Sequence, residues 1–167
     1  MLVLGIDPGT AITGYGLVRH APDGDQLEAV AYGVITTQSD WAMPERLQRI
    51  YRDLTLLIRE HHPTEAAVEQ LFFSRNVKTA LAVGQARGVV LLALAEGGLP
   101  VREYTPLEVK QSVVGYGRAE KAQVQELVRL LLGLDAVPQP DDAADALAIA
   151  ICHLHSARMD SLMRQAG

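Results

Sequence analysis

The chain opens on an uninterrupted apolar run, Leu2-Val3-Leu4-Gly5-Ile6, that ends on a carboxylate, Asp7, and a Pro8-Gly9-Thr10 turn. A strand without polar alternation is buried on both faces, so other elements must lie above and below it. A carboxylate at the margin of such an element is costly to keep charged unless positive charge compensates it. The pattern recurs. Glu69 ends Ala66-Ala67-Val68, and Asp142 and Asp145 open an otherwise apolar helix through Ala143-Ala144 and Ala146-Leu147-Ala148-Ile149-Ala150-Ile151. No Lys or Arg close in sequence offsets any of the four. A hard divalent cation would, and oxygen-rich donor sets suit Mg²⁺.

The 167 residues fit one domain, and almost half of them are hydrophobic, enough for a sizeable core. The single cysteine, Cys152, sits in an apolar helical pattern and can form no internal disulfide; it reads as a small buried hydrophobe in a reducing, cytoplasmic setting. The N-terminus enters a strand without a signal-peptide pattern, and the longest apolar stretch, residues 88–95, is too short to cross a bilayer. No membrane partner is expected. Net charge is −5, but its distribution is uneven. Residues 71–129 carry eight basic side chains against five acidic, an excess of +3, while both flanking stretches are acidic. A polyanion could bind that middle stretch; a mixed solvated surface would look the same.

Turn and periodicity signals then order the elements. Residues 2–6, 13–18 and 27–36 read as strands of an antiparallel meander, with Ala21-Pro22-Asp23-Gly24-Asp25 as a hairpin connection. Leu47, Ile50, Tyr51, Leu54, Leu57 and Ile58 recur at helical spacing behind Pro44, predicting a helix to about His61. Strands follow at 66–69 and 101–104. Helices are expected over 77–96, from Pro106 behind a Thr105 cap, over 119–132, and from Asp142 to about Met159. The order βββαβαβααα predicts an α/β fold: a five-stranded mixed sheet, antiparallel first and parallel later, flanked by helices. A single domain over 2–159 is expected, with 160–167 a frayed tail.

In such a sheet the first and fourth strands are parallel neighbours, so Asp7 and Glu69 can converge at their ends. Asp142 and Asp145 are three apart and share a helix face. Simpler roles exist for each: Asp7 in an Asx-turn, Glu69 at an exposed strand end, and Asp141 or Asp142 as an N-cap with Asp145 completing a capping box. Four such coincidences are less economical than one shared cause. Four carboxylates around one point suit a two-metal site, in which ions roughly 4 Å apart clamp the attacking water and the leaving oxygen of a phosphodiester. His153 and His155 read as helix-end residues that favour the dipole rather than as ligands.

Several motifs occur together: Gly5-Ile6-Asp7-Pro8-Gly9-Thr10, Val68-Glu69-Gln70 with Phe72 close behind, Gly84-Gln85-Ala86-Arg87-Gly88, Val109-Lys110-Gln111, Ala119-Glu120-Lys121, and Asp142-Ala143-Ala144-Asp145-Ala146-Leu147-Ala148. In this order, over residues 2–155, the set resembles the RuvC family of bacterial Holliday-junction resolvases. The resemblance implies an RNase H-like fold and a homodimer that nicks two like-polarity strands of a four-way DNA junction, in recombination and repair. It implies two Mg²⁺ ions per site, with Mn²⁺ as a substitute, bound by Asp7, Glu69, Asp142 and Asp145. It places Lys110 and Lys121 near the scissile phosphate. Phe72 matches an aromatic that stacks on an unpaired junction base, with Phe73 the alternative, and Arg75, Asn76, Lys78 and Arg118 join the DNA-binding set. A branch-migration helicase complex is the implied partner. The Asp141-Asp142 doublet leaves the register of the third carboxylate open, and some relatives carry His there.

Three other readings compete. An actin-like ATPase shares the Asp-Pro-Gly-Thr turn but would need a second phosphate loop and an adenosine pocket. A junction-binding module without catalysis has no reason to set carboxylates beside phosphates. A related nuclease acting on precursor ribosomal RNA would lack the arrangement of Phe72, Lys110 and Lys121. The glycine-bearing, apolar helix over 77–96 is the expected dimer interface, since Gly84 and Gly88 fall on one face and permit close approach.

Overall fold

The structure, a computed structural model, describes residues 1–70 and 76–166. Its strands are β1 (Leu2–Asp7), β2 (Ile12–His20), β3 (Leu27–Thr36), β4 (Glu65–Glu69) and β5 (Val101–Tyr104). Its helices are α1 (Met43–His61), α2 (Val77–Glu96), α3 (Pro106–Val114), α4 (Lys121–Leu131) and α5 (Asp141–Ala166). The strands form one sheet in the order β3-β2-β1-β4-β5. β1 is antiparallel to β2 and β2 to β3, whereas β1–β4 and β4–β5 are parallel. The expected five-stranded mixed sheet is therefore the one observed.

Helices cover both faces, as the unbroken apolar character of β1 requires. Successive strand residues point to opposite faces. Leu4 and Ile6 of β1, with Ala66 and Val68 of β4, pack under α1 and α2 through Ile50, Leu54, Val90 and Leu94. Val3 and Ala67 pack on the other side against α3, α4 and α5 through Val109, Val128, Leu147 and Ile151. The same parity puts Asp7 and Glu69 on the α5 side, two residues beyond Gly5 and Ala67.

α5 rests on the middle of the sheet at unusually short range. A Cβ on Gly5 would stand 2.2 Å from the carbonyl oxygen of Ala146, and one on Gly14 would stand 2.0 Å from that of Asp142. Only glycine admits backbone this close. Gly14 pairs with Asp7 across the β1–β2 ladder, so the first turn of α5 is seated directly beside the end of β1.

Two expectations need correction. α5 does not end near Met159 but is helical to Ala166. Two surface ion pairs reach from it to distant residues, Arg158 to Asp25 and Asp160 to Arg102, each at 2.9 Å. His153 is consequently mid-helix, not a helix end. It is buried, with Nδ1 2.9 Å from the Tyr104 hydroxyl and Nε2 2.6 Å from the Glu65 carboxylate. Cys152 is buried and free, as expected. The α3 cap also holds: Thr105 accepts from the Glu108 amide at 3.1 Å, and the Glu108 carboxylate accepts from the Thr105 amide at 2.7 Å.

Candidate metal and phosphodiester site

β1 and β4 are parallel, with Ile6 opposite Val68, so the next residue of each strand, Asp7 and Glu69, lies at the same edge and on the same face. Their side chains share a hydrogen bond. Burial, followed by the fields of Glu69, Asp145 and Asp142, pushes the Asp7 carboxyl up to about 8. Burial also raises Glu69 and Asp145. The neighbouring Glu69 carboxyl adds to the rise at Asp7.

The doublet at the start of α5 divides its work. Adjacent helix residues point about 100° apart. Asp142 contributes to the field on Asp7. Asp141 instead turns outward, its side chain 52% exposed, and meets the Lys121 ammonium at 3.4 Å. The same ammonium lies 3.4 Å from Asp145, which is 32% exposed. Burial acts to lower Lys121, but Asp145 and Asp141 outweigh it and hold the ammonium above its ordinary value. The cation missing near Asp145 in the sequence thus arrives through the fold, from the first residue of α4.

Lys110 joins Lys121 at the same cleft, a cavity of about 200 Å³ lined also by Glu69, Asp145, Pro106, Val109, Val124 and Ile149. Both lysines act on Glu69 to lower it, against the larger effect of burial. Asp7, Glu69, Asp142, Asp145, Lys110 and Lys121 are therefore assembled by five elements, β1, β4, α3, α4 and α5, at one sheet edge. Of the other residues, Asn76 accepts from the amides of Lys78 and Thr79 and caps α2. Lys78 and Arg118 are exposed. Phe72, Phe73 and Arg75 lie outside the described residues. Arg87, seen in the sequence only as part of a motif and of the local basic excess, reaches the backbone of Glu69. Its three-dimensional partners are far apart in sequence, and no local signal marks it.

Carboxylate oxygens gathered at a partly buried sheet edge are hard donors and fit a divalent cation by donor type. Among the described residues, however, no three of them are drawn together tightly enough to enclose one ion as they stand. The Lys121 ammonium beside Asp145 offsets part of the negative charge at the site.

A mixed five-stranded sheet with carboxylates at the shared edge of its two central parallel strands, faced by the first turn of a covering helix, defines the RNase H-like class. The family profile described as "Crossover junction endodeoxyribonuclease RuvC" matches residues 3–153. The crossover junction endodeoxyribonuclease RuvC of Syntrophomonas wolfei is 56% identical over 163 residues, covering 98% of this chain and 94% of that protein. The RuvC structure from Thermus thermophilus superposes with a TM-score of 0.88 at 40% identity, over 96% of this chain and 97% of that one. A second structure, T. thermophilus RuvC in complex with Holliday junction substrate, superposes with a TM-score of 0.86 at 37% identity, over 95% and 96% of the two chains. The chain belongs to the RuvC family.

Proposed function

We propose that this chain is a divalent-metal-dependent endonuclease that resolves four-way DNA junctions by paired nicks. The observation that carries the reading is the convergence of Asp7 and Glu69, on neighbouring parallel strands, beneath the α5 turn that bears Asp142 and Asp145. The T. thermophilus relative solved with a Holliday junction supports the substrate. Asp7, Glu69, Asp142 and Asp145 would hold the metal, Mg²⁺ or Mn²⁺, which when bound supplies Lewis-acid stabilisation of charge on the attacking and leaving oxygens. Asp142 rather than Asp141 would be the third ligand, since Asp142 is seated against Gly14 beside Asp7 whereas Asp141 turns outward to Lys121.

The chain's own residues do the rest. Asp7 would serve the metal as a carboxylate, since a cation offsets the repulsion around it. Lys121, beside Asp145, and Lys110 across the cleft would present ammonium groups to the scissile phosphate as negative charge develops there. The apolar walls from Val109, Val124 and Ile149 limit water around those ammonium groups and strengthen their field.

The exposed face of α2 supports a homodimer. Val77, Leu81 and Leu92 are exposed there, and a Cβ on Gly84 or Gly88 would meet nothing within 4 Å. α2 is, among the described residues, long and apolar enough to cross a membrane, contrary to the expectation drawn from its uninterrupted apolar residues alone. Arg87, its inner anchor, is nevertheless committed to β4 and β5, so the exposed apolar face suits a second copy. A two-fold dimer places identical sites on a substrate of near two-fold symmetry. Leu81→Glu is expected to yield a monomer in sedimentation that makes no paired cuts; a monomer that still cuts both strands together would refute this interface. The branch-migration helicase partner follows from the family reading alone.

The direct test incubates a synthetic four-way junction with the protein. Symmetric nicks are expected with Mg²⁺, and binding without cleavage in chelator. Equal cutting of plain duplex and junction would overturn the resolvase reading.

A further inference from the structure

α2 touches the catalytic backbone at two points that the chemistry above does not use. Arg87 lies on its inner side, and only 14% of its side chain is exposed. Its Nη1 donates to the backbone carbonyl of Glu69 at 2.8 Å, and its Nη2 pairs with the carboxylate of Glu103 on β5. Five residues earlier on the same helix, the Ala82 carbonyl accepts from the hydroxyl of Thr10 at 2.9 Å. Thr10 is buried and closes the turn that follows Asp7.

These tethers sit where the β1–β4 ladder stops, although β2 still pairs Gly14 with Asp7 and β5 still pairs Tyr104 with Glu69. The β1–β4 register runs to the Ile6–Val68 pair and no further. Asp7 and Glu69 are each the last residue of their strand, so the ladder between them ends one residue short of both. α2 takes over at that point, gripping Glu69 by its own carbonyl and the Asp7 turn by Thr10. The Arg87 charge is answered by Glu103, and its hydrogen bond to Glu69 is made to the carbonyl oxygen rather than to the carboxylate. Its contact with Glu69 is therefore to backbone, and its effect is on position.

We propose that Arg87 is a positioning residue for the metal site: it fixes the end of β4 to α2, which also holds the Asp7 turn through Thr10, and so sets the separation of the two strand carboxylates. The inference rests on the carboxylate reading of the site. A guanidinium suits this role because its planar fork serves two acceptors in fixed directions, which a lysine ammonium does not. Metal ligands tolerate misplacement of only about 0.5 Å, and loss of an outer supporting contact commonly weakens metal binding about 10–100-fold.

The test measures Mn²⁺ binding by calorimetry per folded molecule, alongside the Mn²⁺ dependence of junction cleavage. Arg87→Lys is expected to weaken Mn²⁺ binding about 10-fold. The Mn²⁺ concentration for half-maximal cleavage should rise equally, most of the maximal rate should return at saturating metal, and junction binding in chelator should not change. Glu103→Gln, which leaves Arg87 in place with a weaker partner, should give a smaller shift in the same direction and remain folded. A merely structural arginine would lower the folded fraction and leave both metal readouts unchanged per folded molecule. Wild-type Mn²⁺ affinity in folded Arg87→Lys would overturn the proposal. Absence of Mn²⁺ binding by the wild-type protein, or undiminished binding in Asp7→Asn, would instead overturn the carboxylate reading beneath it.

Discussion

Asp7→Asn is expected to abolish junction cleavage and, in chelator, to raise the melting temperature, with a gain that grows from pH 5 to pH 8.5. The loss of activity follows from position. Asp7 is the most perturbed carboxyl of the site, held by a rigid central strand with Glu69 beside it and Asp142 and Asp145 acting on it. An amide keeps the shape and removes the charge that would hold the metal. A fall of about three orders of magnitude, roughly 4 kcal/mol of transition-state stabilisation, is expected, with junction binding intact.

The gain in stability follows from the same site. In the folded protein Asp7 titrates at about 8, against an ordinary value of 3.8. A carboxyl raised in this way binds its proton more tightly folded than unfolded. Its contribution is fully present below about pH 4 and is lost progressively as pH rises through about 8. The unfolded chain gives up this proton early, while the folded chain must either retain it or bear buried negative charge. The metal-free wild type should therefore lose stability on the order of a few kcal/mol across that window, and the Asn variant should be spared it. For a domain of this size the difference amounts to roughly 5–10 °C at pH 8. Saturating Mg²⁺ should narrow the gap by stabilising the wild type selectively. Superimposable melting curves at pH 5 and pH 8.5 for both proteins would show that Asp7 holds no such proton.

Much of this site could be read from the chain because its ligands terminate apolar runs. Asp7 and Glu69 are visible as carboxylates at the ends of buried strands, and parity in a parallel pair suffices to bring them together. Asp142 and Asp145 share a helix face by spacing alone. What stayed hidden depends on distances between elements. Lys121 pairs with Asp141 and Asp145 from another helix, and that pairing is also what separates the two members of the aspartate doublet. His153 reads as a helix end because its partners, Tyr104 and Glu65, lie on two strands far from it in sequence. Arg87 was visible as a charge, but its role lies in a bond to a backbone carbonyl, and no side-chain pattern encodes the partner.

Gly14→Ala is expected to impair the site without altering a ligand. The added Cβ would stand 2.0 Å from the carbonyl oxygen of Asp142, 2.6 Å from its carbonyl carbon and 3.2 Å from its Cβ. The first two are backbone atoms, so no rotamer change relieves the clash, and the first turn of α5 must rise from the sheet. Such overpacking costs about 1–3 kcal/mol of stability. The larger consequence is chemical. Gly14 pairs with Asp7, so the turn that rises is the one carrying Asp142 and Asp145 over that carboxylate. A displacement of about 1 Å in a catalytic group can cost about 10²-fold in rate. Cleavage per folded molecule should fall by that order, and Mn²⁺ binding should weaken with it. Gly24→Ala supplies the control, because a Cβ there meets nothing within 4 Å, and it should cleave as wild type. If folded Gly14→Ala also cleaves as wild type, the first turn of α5 does not place the third and fourth carboxylates, and their alignment must come from the body of the helix above Gly5.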